Sequence, residues 1–448
     1  MKAIGLDIGT TTICGVLLDT ETGEQLARYT LANDAAIETS NSWEKLQDPE
    51  KIARRCLEIL DLLVAGQENI AAIGVTGQMH GIVYLNGKGE PVSPLITWQD
   101  GRGNHKENNG KTYAQNTSER TGVRLATGFG AVTHYWYTQN GKIPHGAATF
   151  CTIADYIAML LAGISSPILH SSMAASLGLF NLKENRFDGK LIRRAGMDAR
   201  YFPSVQNEEK PIGFWNQKVP VSAAFGDNQA SFLGAVPEGG SVLVNVGTGS
   251  QISVLADEIC QFEQLECRPF MKGKFLYVGS SLCGGYAYAL LKQFYESVFQ
   301  MCGMEPAENL YVYMNMAAEA GFDKYGLEGL QTDVRFNGSR TQPALRGQVE
   351  NISVDNFGAE ALTLGVLQGI CKELHDYYLE ANVQNDVPYI TGSGNGIRKN
   401  PLLQKLFGLQ FGKELLISQC DEEAACGSAL FALSQINEIN CNCGSGVL

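Results

Sequence analysis

Two turns rich in glycine and threonine carry the residues best suited to chemistry. The first turn follows the apolar run Ala3–Ile8, which contains Asp7, and it includes Thr10, Thr11 and Thr12. A turn of this kind exposes backbone N–H groups and hydroxyls that can hold phosphate. A carboxylate beside it would repel phosphate unless a cation lay between them. The alternative interpretation is a plain turn with a capping aspartate.

The second turn, Gly247-Thr248-Gly249, follows the apolar run Val242–Val246 and precedes another apolar run. The two halves of the chain therefore repeat one pattern, in which a strand, a Gly/Thr turn and a second strand follow one another. Two such hairpins could clasp a polyphosphate between two domains. A Gly-Thr-Gly corner is also a common hairpin tip, so each turn taken alone could be ordinary structure.

Asp227 is a candidate catalytic carboxylate. It lies in Gly226-Asp227-Asn228-Gln229, directly after an apolar run that predicts a strand over residues 219–225. In an open α/β sheet, ligands tend to bind at the carboxyl ends of strands. A carboxylate held there can act as a general base, although Gly-Asp is also a common turn. Together with the two turns, Asp227 suggests a phosphoryl transfer site.

Polar residues follow a second predicted strand, residues 70–75. Gln78 and His80 suit recognition of hydroxyl groups, and Met79 can cover an apolar face of a ligand. A lone histidine after a strand is more often structural, which is the alternative for His80.

A third polar cluster occupies residues 97–102 and contains Trp98, Asp100 and Arg102. Aromatic, acidic and guanidinium groups of this kind are found in many sugar sites. The alternative is a buried ion pair between Asp100 and Arg102 under a tryptophan.

Familiar nucleotide motifs are missing from the sequence. Gly110-Lys111-Thr112 resembles the end of a P-loop, but His105 stands where the first glycine of that motif would be, and no G-x-G-x-x-G is present. The loop 392–396 is rich in glycine and could let an adenine approach the backbone, although a bare glycine turn is the commoner explanation.

Composition limits the class of protein. A chain of 448 residues favours two large domains. No segment approaches eighteen consecutive apolar residues and the N-terminus lacks a signal-peptide pattern, so we expect a cytoplasmic protein with no membrane partner. The net charge of −13 argues against a nucleic-acid partner. The twelve cysteines are scattered as small buried hydrophobes would be.

Periodicity predicts an α/β protein. A helix is expected after Asp48 and Pro49, and strands and helices alternate through most of the chain. The turn-rich segment 237–240 separates the two halves. We therefore predict an N-terminal domain over residues 1–236, a C-terminal domain over residues 237–436, and a disordered, unliganded tail over residues 437–448.

Six motifs in chain order resemble one family. They are DIGTTT near residue 7, GQMHG at 77, TWQDGR at 97, GDNQAS at 226, NVGTGS at 245 and TGSGNGIRKNP at 391. Together they are similar to the FGGY carbohydrate kinases of the actin-like ATPase superfamily, from about residue 3 to 436. The resemblance implies an α/β fold of the two-domain actin/hexokinase-like (ribonuclease H-like) ATPase type, with ATP and sugar in the cleft between the domains.

The resemblance also implies roles for individual residues. Asp227 would be the general base, and Asp7 would help to hold Mg2+. The ATP phosphates would contact Thr10, Thr11, Thr12, Gly247, Thr248 and Gly249. Adenosine would be bordered by Gly392, Gly394, Asn395 and Asn400. The sugar would contact Gln78, Met79, His80, Asp100 and Asn228.

Within the family, the motifs look more like those of sedoheptulokinases than those of glycerol or gluconate kinases. The expected reaction is transfer of the γ-phosphoryl group of ATP to sedoheptulose. Asn228 is as in xylulose kinases, so a D-xylulose kinase, or a kinase of another ketose or polyol, is the nearest alternative. An ATP switch without sugar chemistry and a scaffold that has lost catalysis are the alternatives of a different class. A homodimer is kept as a candidate assembly.

Overall fold

The structure is a computed structural model that describes residues 1–19, 21–339, 342, 344–383 and 387–443, with side chains as far as residue 436. Among the residues described, no helix has the length and apolar character needed to span a membrane.

The strands, in chain order, are β1 (Lys2–Ile8), β2 (Thr12–Asp19), β3 (Gln25–Ala32), β4 (Ala36–Ile37), β5 (Leu46–Gln47), β6 (Ile70–Gly77), β7 (Val83–Leu85), β8 (Leu95–Ile96), β9 (Thr149–Cys151), β10 (Ile168–Leu169), β11 (Phe180–Asn181), β12 (Arg186–Phe187), β13 (Ser204–Val205), β14 (Gly213–Trp215), β15 (Val219–Val221), β16 (Phe225–Gly226), β17 (Val242–Val246), β18 (Ser250–Ala256), β19 (Glu266–Pro269), β20 (Phe275–Ser281), β21 (Gln331–Asp333), β22 (Gln348–Glu350), β23 (Tyr389–Ser393) and β24 (Glu414–Ile417). The helices are α1 (Pro49–Val64), α2 (Tyr113–Thr121), α3 (Gly130–Gln139), α4 (Ile153–Leu161), α5 (Ser171–Leu177), α6 (Gly189–Arg194), α7 (Asp227–Ala235), α8 (Gly284–Met301), α9 (Leu310–Tyr325), α10 (Ala359–Ala381), α11 (Asn395–Arg398), α12 (Pro401–Phe411) and α13 (Glu423–Cys443).

The chain forms two compact units. The first contains Met1–Gly234, Pro269–Gly273 and the chain from Cys420 onward; the second contains Ala235–Arg268 and Lys274–Gln419. Alternating strands and helices in both units confirm the α/β class.

A mixed sheet organises the first unit, with strand order β14-β15-β6-β1-β2-β3 and β16 added beside β6. The predicted N-terminal hairpin is present, since β1 and β2 pair in antiparallel fashion. The predicted helix after Asp48 is α1. Its N-terminus is capped because the Asp48 side chain accepts hydrogen bonds from the N–H groups of Glu50 and Lys51.

Helix α13 covers part of the same sheet, although it comes last in the chain. Its small residues Ala425, Cys426 and Ala429 form one apolar cluster with Cys14 and Val16 of β2. The first compact unit therefore includes the chain from Cys420 onward, which a division at residue 236 would assign to the second domain. The reason is that α13 buries its apolar face against the first sheet. The predicted disordered tail is helical over residues 437–443, and residues 444–448 lie outside the described residues.

The second unit is built on a sheet with strand order β19-β20-β18-β17-β23-β24. The expected second hairpin is present, because β17 and β18 are antiparallel and the turn 247–249 joins them. Helix α10 packs its apolar face, including Leu367 and Ile370, into the core of this unit. Strand β20 ends at Ser281, and α8 begins three residues later at Gly284.

Candidate active site

Three strands of the first unit end at the same edge of the sheet. β1 and β16 both run parallel to β6, with Gly77 opposite Ile8 on one side and opposite Gly226 on the other. The residues that follow these ends are Gly9, Gln78 and Asp227. The register therefore brings the first turn, the predicted sugar cluster and the predicted base together.

Side-chain amides hold the first turn by its carbonyl groups. The Gly9 carbonyl accepts hydrogen bonds from Asn33 Nδ2 at 2.8 Å and from Gln78 Nε2 at 3.3 Å. The Thr10 carbonyl accepts from Gln47 Nε2 at 2.9 Å. Because these carbonyls are occupied by protein donors, the turn is held without use of its N–H groups.

The N–H groups of the first turn are available to an anion. Within the described ranges, the N–H groups of Gly9, Thr10 and Thr11 donate to no protein acceptor. The side chains of Thr11 and Thr12 are exposed. This arrangement of backbone donors and hydroxyls suits phosphate.

Asp7 has the electrostatic surroundings of a cation ligand. Burial, followed by the negative charges of Asp227 and Glu422, raises the pKa of Asp7 to about 7. In the part of the chain that is described, no three His, Cys, Asp or Glu side chains converge as an all-protein metal site. Mg2+ is commonly held by one or two carboxylates together with substrate phosphates. The residues present therefore fit Mg2+ that arrives with a nucleotide.

Asp227 is the first residue of α7, and its side chain is exposed. Its Oδ1 accepts a hydrogen bond from the N–H of Asn228 at 2.5 Å. The preceding residue is fixed because Gly226 N donates to Ser172 Oγ at 2.9 Å. A buried strand end thus presents an accessible carboxylate, as a general base requires.

The predicted sugar residues after β6 have different surroundings. Gln78 and Met79 are only 6% and 5% exposed, and Gln78 uses its Nε2 to hold Gly9 and Gln47. His80 is half-buried, with a left-handed backbone at φ 71°, and its Nδ1 lies 2.6 Å from the Ser176 carbonyl oxygen. Gln78 and Met79 are therefore largely buried at the sheet edge, while His80 is partly accessible.

Asp100 does not have the surroundings expected of a sugar contact. Its Oδ1 lies 2.6 Å from Arg102 Nε, and its Oδ2 accepts hydrogen bonds from Arg102 Nη2 and the N–H of Lys45. Asp100 is 1% exposed, and the Arg102 guanidinium lies over the rings of Trp43 and Trp136. The structure thus places Asp100 in the buried ion pair that was the alternative interpretation, because the adjacent guanidinium satisfies both carboxylate oxygens.

Trp98 belongs to the same cluster and does face outward. Its side chain is 45% exposed, and its Nε1 donates to Thr10 Oγ1 at 3.1 Å. The indole of Trp98 therefore borders the first turn and offers an apolar face there.

Asn228, the remaining residue of the predicted sugar site, is only 7% exposed.

The second turn is held by backbone groups of α8. Gly285 N donates to the Gly247 carbonyl and Tyr286 N donates to the Thr248 carbonyl, both at 2.9 Å. A Cβ atom at Gly285 would collide with the Gly247 carbonyl oxygen, so close approach of α8 needs glycine at this position. The side chain of Thr248 remains exposed.

The predicted adenosine loop packs beside the second turn. Gly394 has φ 85°, and a Cβ atom there would lie 2.6 Å from the Val246 carbonyl oxygen, at the end of β17. Gly392 is buried at the end of β23, and Asn395 is exposed at the start of α11. The structure therefore brings the second turn and this loop together within the second unit.

Asn400 has a structural task at the start of α12. Its Oδ1 accepts a hydrogen bond from the N–H of Leu403, which caps the helix, and its Nδ2 donates to Asn315 Oδ1 at 3.2 Å. Tyr288 also donates to Asn315 Oδ1, at 2.8 Å. An adenosine contact by the Asn400 side chain would use its remaining amide N–H or the second lone pair of Oδ1.

Several residues that hold the two turns were not predicted from the sequence. Asn33 and Gln47 hold the first turn, and Gly285 allows α8 to hold the second turn. Gly284-Gly285 at a helix start is a visible signal of close packing. Asn33 and Gln47 had no signal, because Asn33 follows the end of β3 and Gln47 ends the two-residue strand β5, and only folding brings these positions to the turn.

Comparison with known proteins covers nearly the whole chain. The model of the FGGY family of carbohydrate kinases, N-terminal domain, matches residues 2–234, and the C-terminal domain model matches residues 242–436. Human sedoheptulokinase is 27% identical over 475 residues, covering 96% of this chain and 97% of that protein. Xylulose kinase of Staphylococcus xylosus is 22% identical over 431 residues, covering 90% and 84%. The crystal structure of gluconate kinase from Lactobacillus acidophilus matches with a TM-score of 0.81 and 21% identity, covering 98% of this chain and 90% of that chain.

Proposed function

Since the chain belongs to the FGGY family of carbohydrate kinases, we propose that it transfers the γ-phosphoryl group of ATP to a terminal hydroxyl of a ketose, and that this ketose is sedoheptulose. The observation that carries the proposal is the register of β1, β6 and β16. That register sets the accessible carboxylate of Asp227 at the same sheet edge as Asp7 and the first turn.

The fold is the two-domain α/β fold of this family, which belongs to the actin-like ATPases. The predicted fold class is therefore confirmed. Enzymes that catalyse phosphoryl transfer contribute little covalent chemistry, so positioning of the reactants and stabilisation of charge account for most of the rate enhancement.

Asp227 would act on the acceptor hydroxyl. Its carboxylate takes the proton as the hydroxyl oxygen attacks the γ-phosphorus, and the bond from the γ-phosphorus to the bridging oxygen of ATP breaks to release ADP. The carboxylate is suited to this role because it is exposed while its backbone is anchored by the buried strand β16.

The phosphates of ATP would bind to backbone N–H groups and threonine hydroxyls of the two turns. Thr11, Thr12 and Thr248 are the exposed hydroxyls among them. Asp7 would help to hold Mg2+, and the ion would supply positive charge that offsets negative charge on the transferring group. Gly392, Gly394 and Asn395 would border adenosine, in keeping with their place beside the second turn.

The sugar would lie against His80, Asn228 and the indole of Trp98, next to Asp227. Gln78 would offer its Oε1 to a hydroxyl, because that atom is buried and has no hydrogen-bond partner within the described part of the chain. The similarity to human sedoheptulokinase along nearly both full lengths supports sedoheptulose as the substrate. Asp100 would position this region through its ion pair with Arg102.

D-Xylulose is the second candidate substrate. Asn228 favours it, because this residue matches the motif of xylulose kinases, and the xylulose kinase of Staphylococcus xylosus is also similar over most of this chain.

The deciding experiment measures ADP release by the purified protein with ATP and Mg2+. Sedoheptulose, D-xylulose, D-ribulose, glycerol, gluconate and no sugar are compared. We expect the highest kcat/KM with sedoheptulose. A higher value with D-xylulose would change the substrate and keep the mechanism. No stimulation by any sugar would contradict the kinase proposal and favour an ATP switch.

A further inference from the structure

We propose that Gln47 is a positioning residue that couples the sugar site to the first phosphate turn. The inference rests on the proposed function, since it assumes that the first turn binds phosphate and that Gln78 faces the sugar. Gln47 ends the short strand β5, directly before the Asp48 cap of α1. Gln47 is not among the residues expected to contact the sugar or the phosphates, so its effect would act through its neighbours.

The contacts of Gln47 form a continuous path. Gln78 Nε2 donates to Gln47 Oε1 at 2.9 Å, and Gln47 Nε2 donates to the Thr10 carbonyl at 2.9 Å. Thr10 Oγ1 in turn accepts the indole N–H of Trp98 at 3.1 Å. Residues expected to face the sugar therefore reach Thr10 of the phosphate turn along two paths, and Gln78 Nε2 also donates directly to the Gly9 carbonyl at 3.3 Å.

Burial fixes the orientation of the Gln47 amide. Gln47 and Gln78 are 5% and 6% exposed, so water does not compete for their amides. The Gln47 side chain must present its oxygen to Gln78 and its nitrogen to Thr10, and a reversed amide would lose both bonds. Its orientation is therefore set by Gln78 at one end and by the turn at the other.

The amide oxygen of Gln78 is the atom through which a bound sugar would affect these hydrogen bonds. Gln78 Oε1 is buried and lacks a hydrogen-bond partner among the described residues, which is costly for an amide oxygen. A sugar hydroxyl that donates to this atom would fix the Gln78 amide and strengthen the bonds that follow it. Gln47 would transmit that change to the Thr10 carbonyl and so to the N–H groups of the turn.

The test compares Gln47→Leu, Gln47→Glu and the control Gln435→Leu. Gln47→Leu removes both bonds at similar volume. Gln47→Glu keeps an acceptor for Gln78 and removes the donor to Thr10. Gln435 is a buried glutamine of α13 whose amide atoms have no partner within the described residues, so Gln435→Leu controls for loss of a buried amide.

Two dissociation constants are measured by calorimetry, one for a non-hydrolysable ATP analogue in the presence of Mg2+ and one for adenosine. Each is measured with and without D-xylulose or sedoheptulose. Both Gln47 variants should weaken the ATP analogue about tenfold and leave adenosine unchanged, because adenosine has no phosphate to meet the turn. Any tightening of the analogue by sugar should also fall in Gln47→Leu. Gln435→Leu should match the wild type.

Equal losses for the analogue and adenosine would overturn the proposal, since they would indicate a general structural role. Unchanged binding of both, at wild-type thermal stability, would also overturn it. If Gln47→Leu does not fold, Gln47→Glu supplies the same ratio. If the wild type phosphorylates none of the sugars, the proposed function fails, while the ratio of the two affinities still tests the link from Gln47 to the turn.

Discussion

The two Gly/Thr turns share a sequence pattern but are held by different groups. In the first turn, the carbonyls of Gly9 and Thr10 accept hydrogen bonds from the side chains of Asn33, Gln47 and Gln78. In the second turn, the corresponding donors are backbone N–H groups at the start of α8.

The difference has a simple steric origin. A side-chain amide reaches the first turn from a distance, so the residues that carry it can lie on separate segments. The backbone of α8 must approach the second turn directly, and a side chain at Gly285 would prevent this. The first turn should therefore tolerate graded changes, whereas the second should respond sharply to a single added methyl group.

Asp227→Ala should have the largest effect on turnover. It should impair catalysis without changing the binding of ATP phosphates at either turn. We expect turnover to fall by about two to four orders of magnitude, the usual range for loss of a general base. Binding of a non-hydrolysable ATP analogue, measured by calorimetry, should be largely unchanged, because neither turn depends on Asp227. Turnover near that of the wild type would remove Asp227 from its role.

Gly285→Ala should be the most damaging change to a turn. The added Cβ collides with the Gly247 carbonyl oxygen, and overpacking of this kind costs about 1–3 kcal/mol. The KM for ATP should rise about tenfold to a hundredfold, with a smaller change in the KM for sugar. Gly87→Ala is the control, because a Cβ at Gly87 meets no atom within 4 Å among the residues described. Equal kinetics for the two variants would contradict the steric account.

Asn33→Ala should have a milder effect on the first turn. It removes one donor to the Gly9 carbonyl and leaves the donor from Gln78, so the KM for ATP should rise about fivefold. Asn109→Ala, which removes an amide pair with Asn116 elsewhere in the first unit, is the control for loss of an asparagine. A rise of a hundredfold or more in the KM for ATP would show that the first turn is as sensitive to substitution as the second.

Asp155→Asn should change stability and leave both turns unaffected. Burial raises the pKa of Asp155 to about 7, and its Oδ1 has no hydrogen-bond partner within the described residues. Because the folded-state pKa lies above the unfolded value, the contribution of this group to stability is fully present below about pH 4 and is lost as pH rises towards 7.

The measurement for Asp155 is the free energy of unfolding between pH 5 and 8. The wild type should lose stability relative to Asp155→Asn as pH rises, by at most about 3 kcal/mol across this range, and the KM for ATP should stay the same. Parallel pH profiles for the two proteins would contradict the assignment of this titration to Asp155.

Much of the local structure could be predicted because it depends on neighbours in the sequence. The cap and apolar face of α1, the two hairpins and the strand leading to Gln78 follow from periodicity and turn residues. The role of Asp100 could not be predicted, since the choice between a sugar contact and an ion pair depends on whether Arg102 is buried with it.

The sequence by itself determined the residues that can do chemistry and the turns that carry them, because glycine, threonine and aspartate at strand ends have strong local preferences. The tertiary structure alone decided which groups hold those turns. Asn33 and Gln47 reach the first turn, and α13 reaches the first sheet, from other segments of the chain. Which segments meet depends on the long-range burial of apolar faces, as in the cluster of α13 with β2.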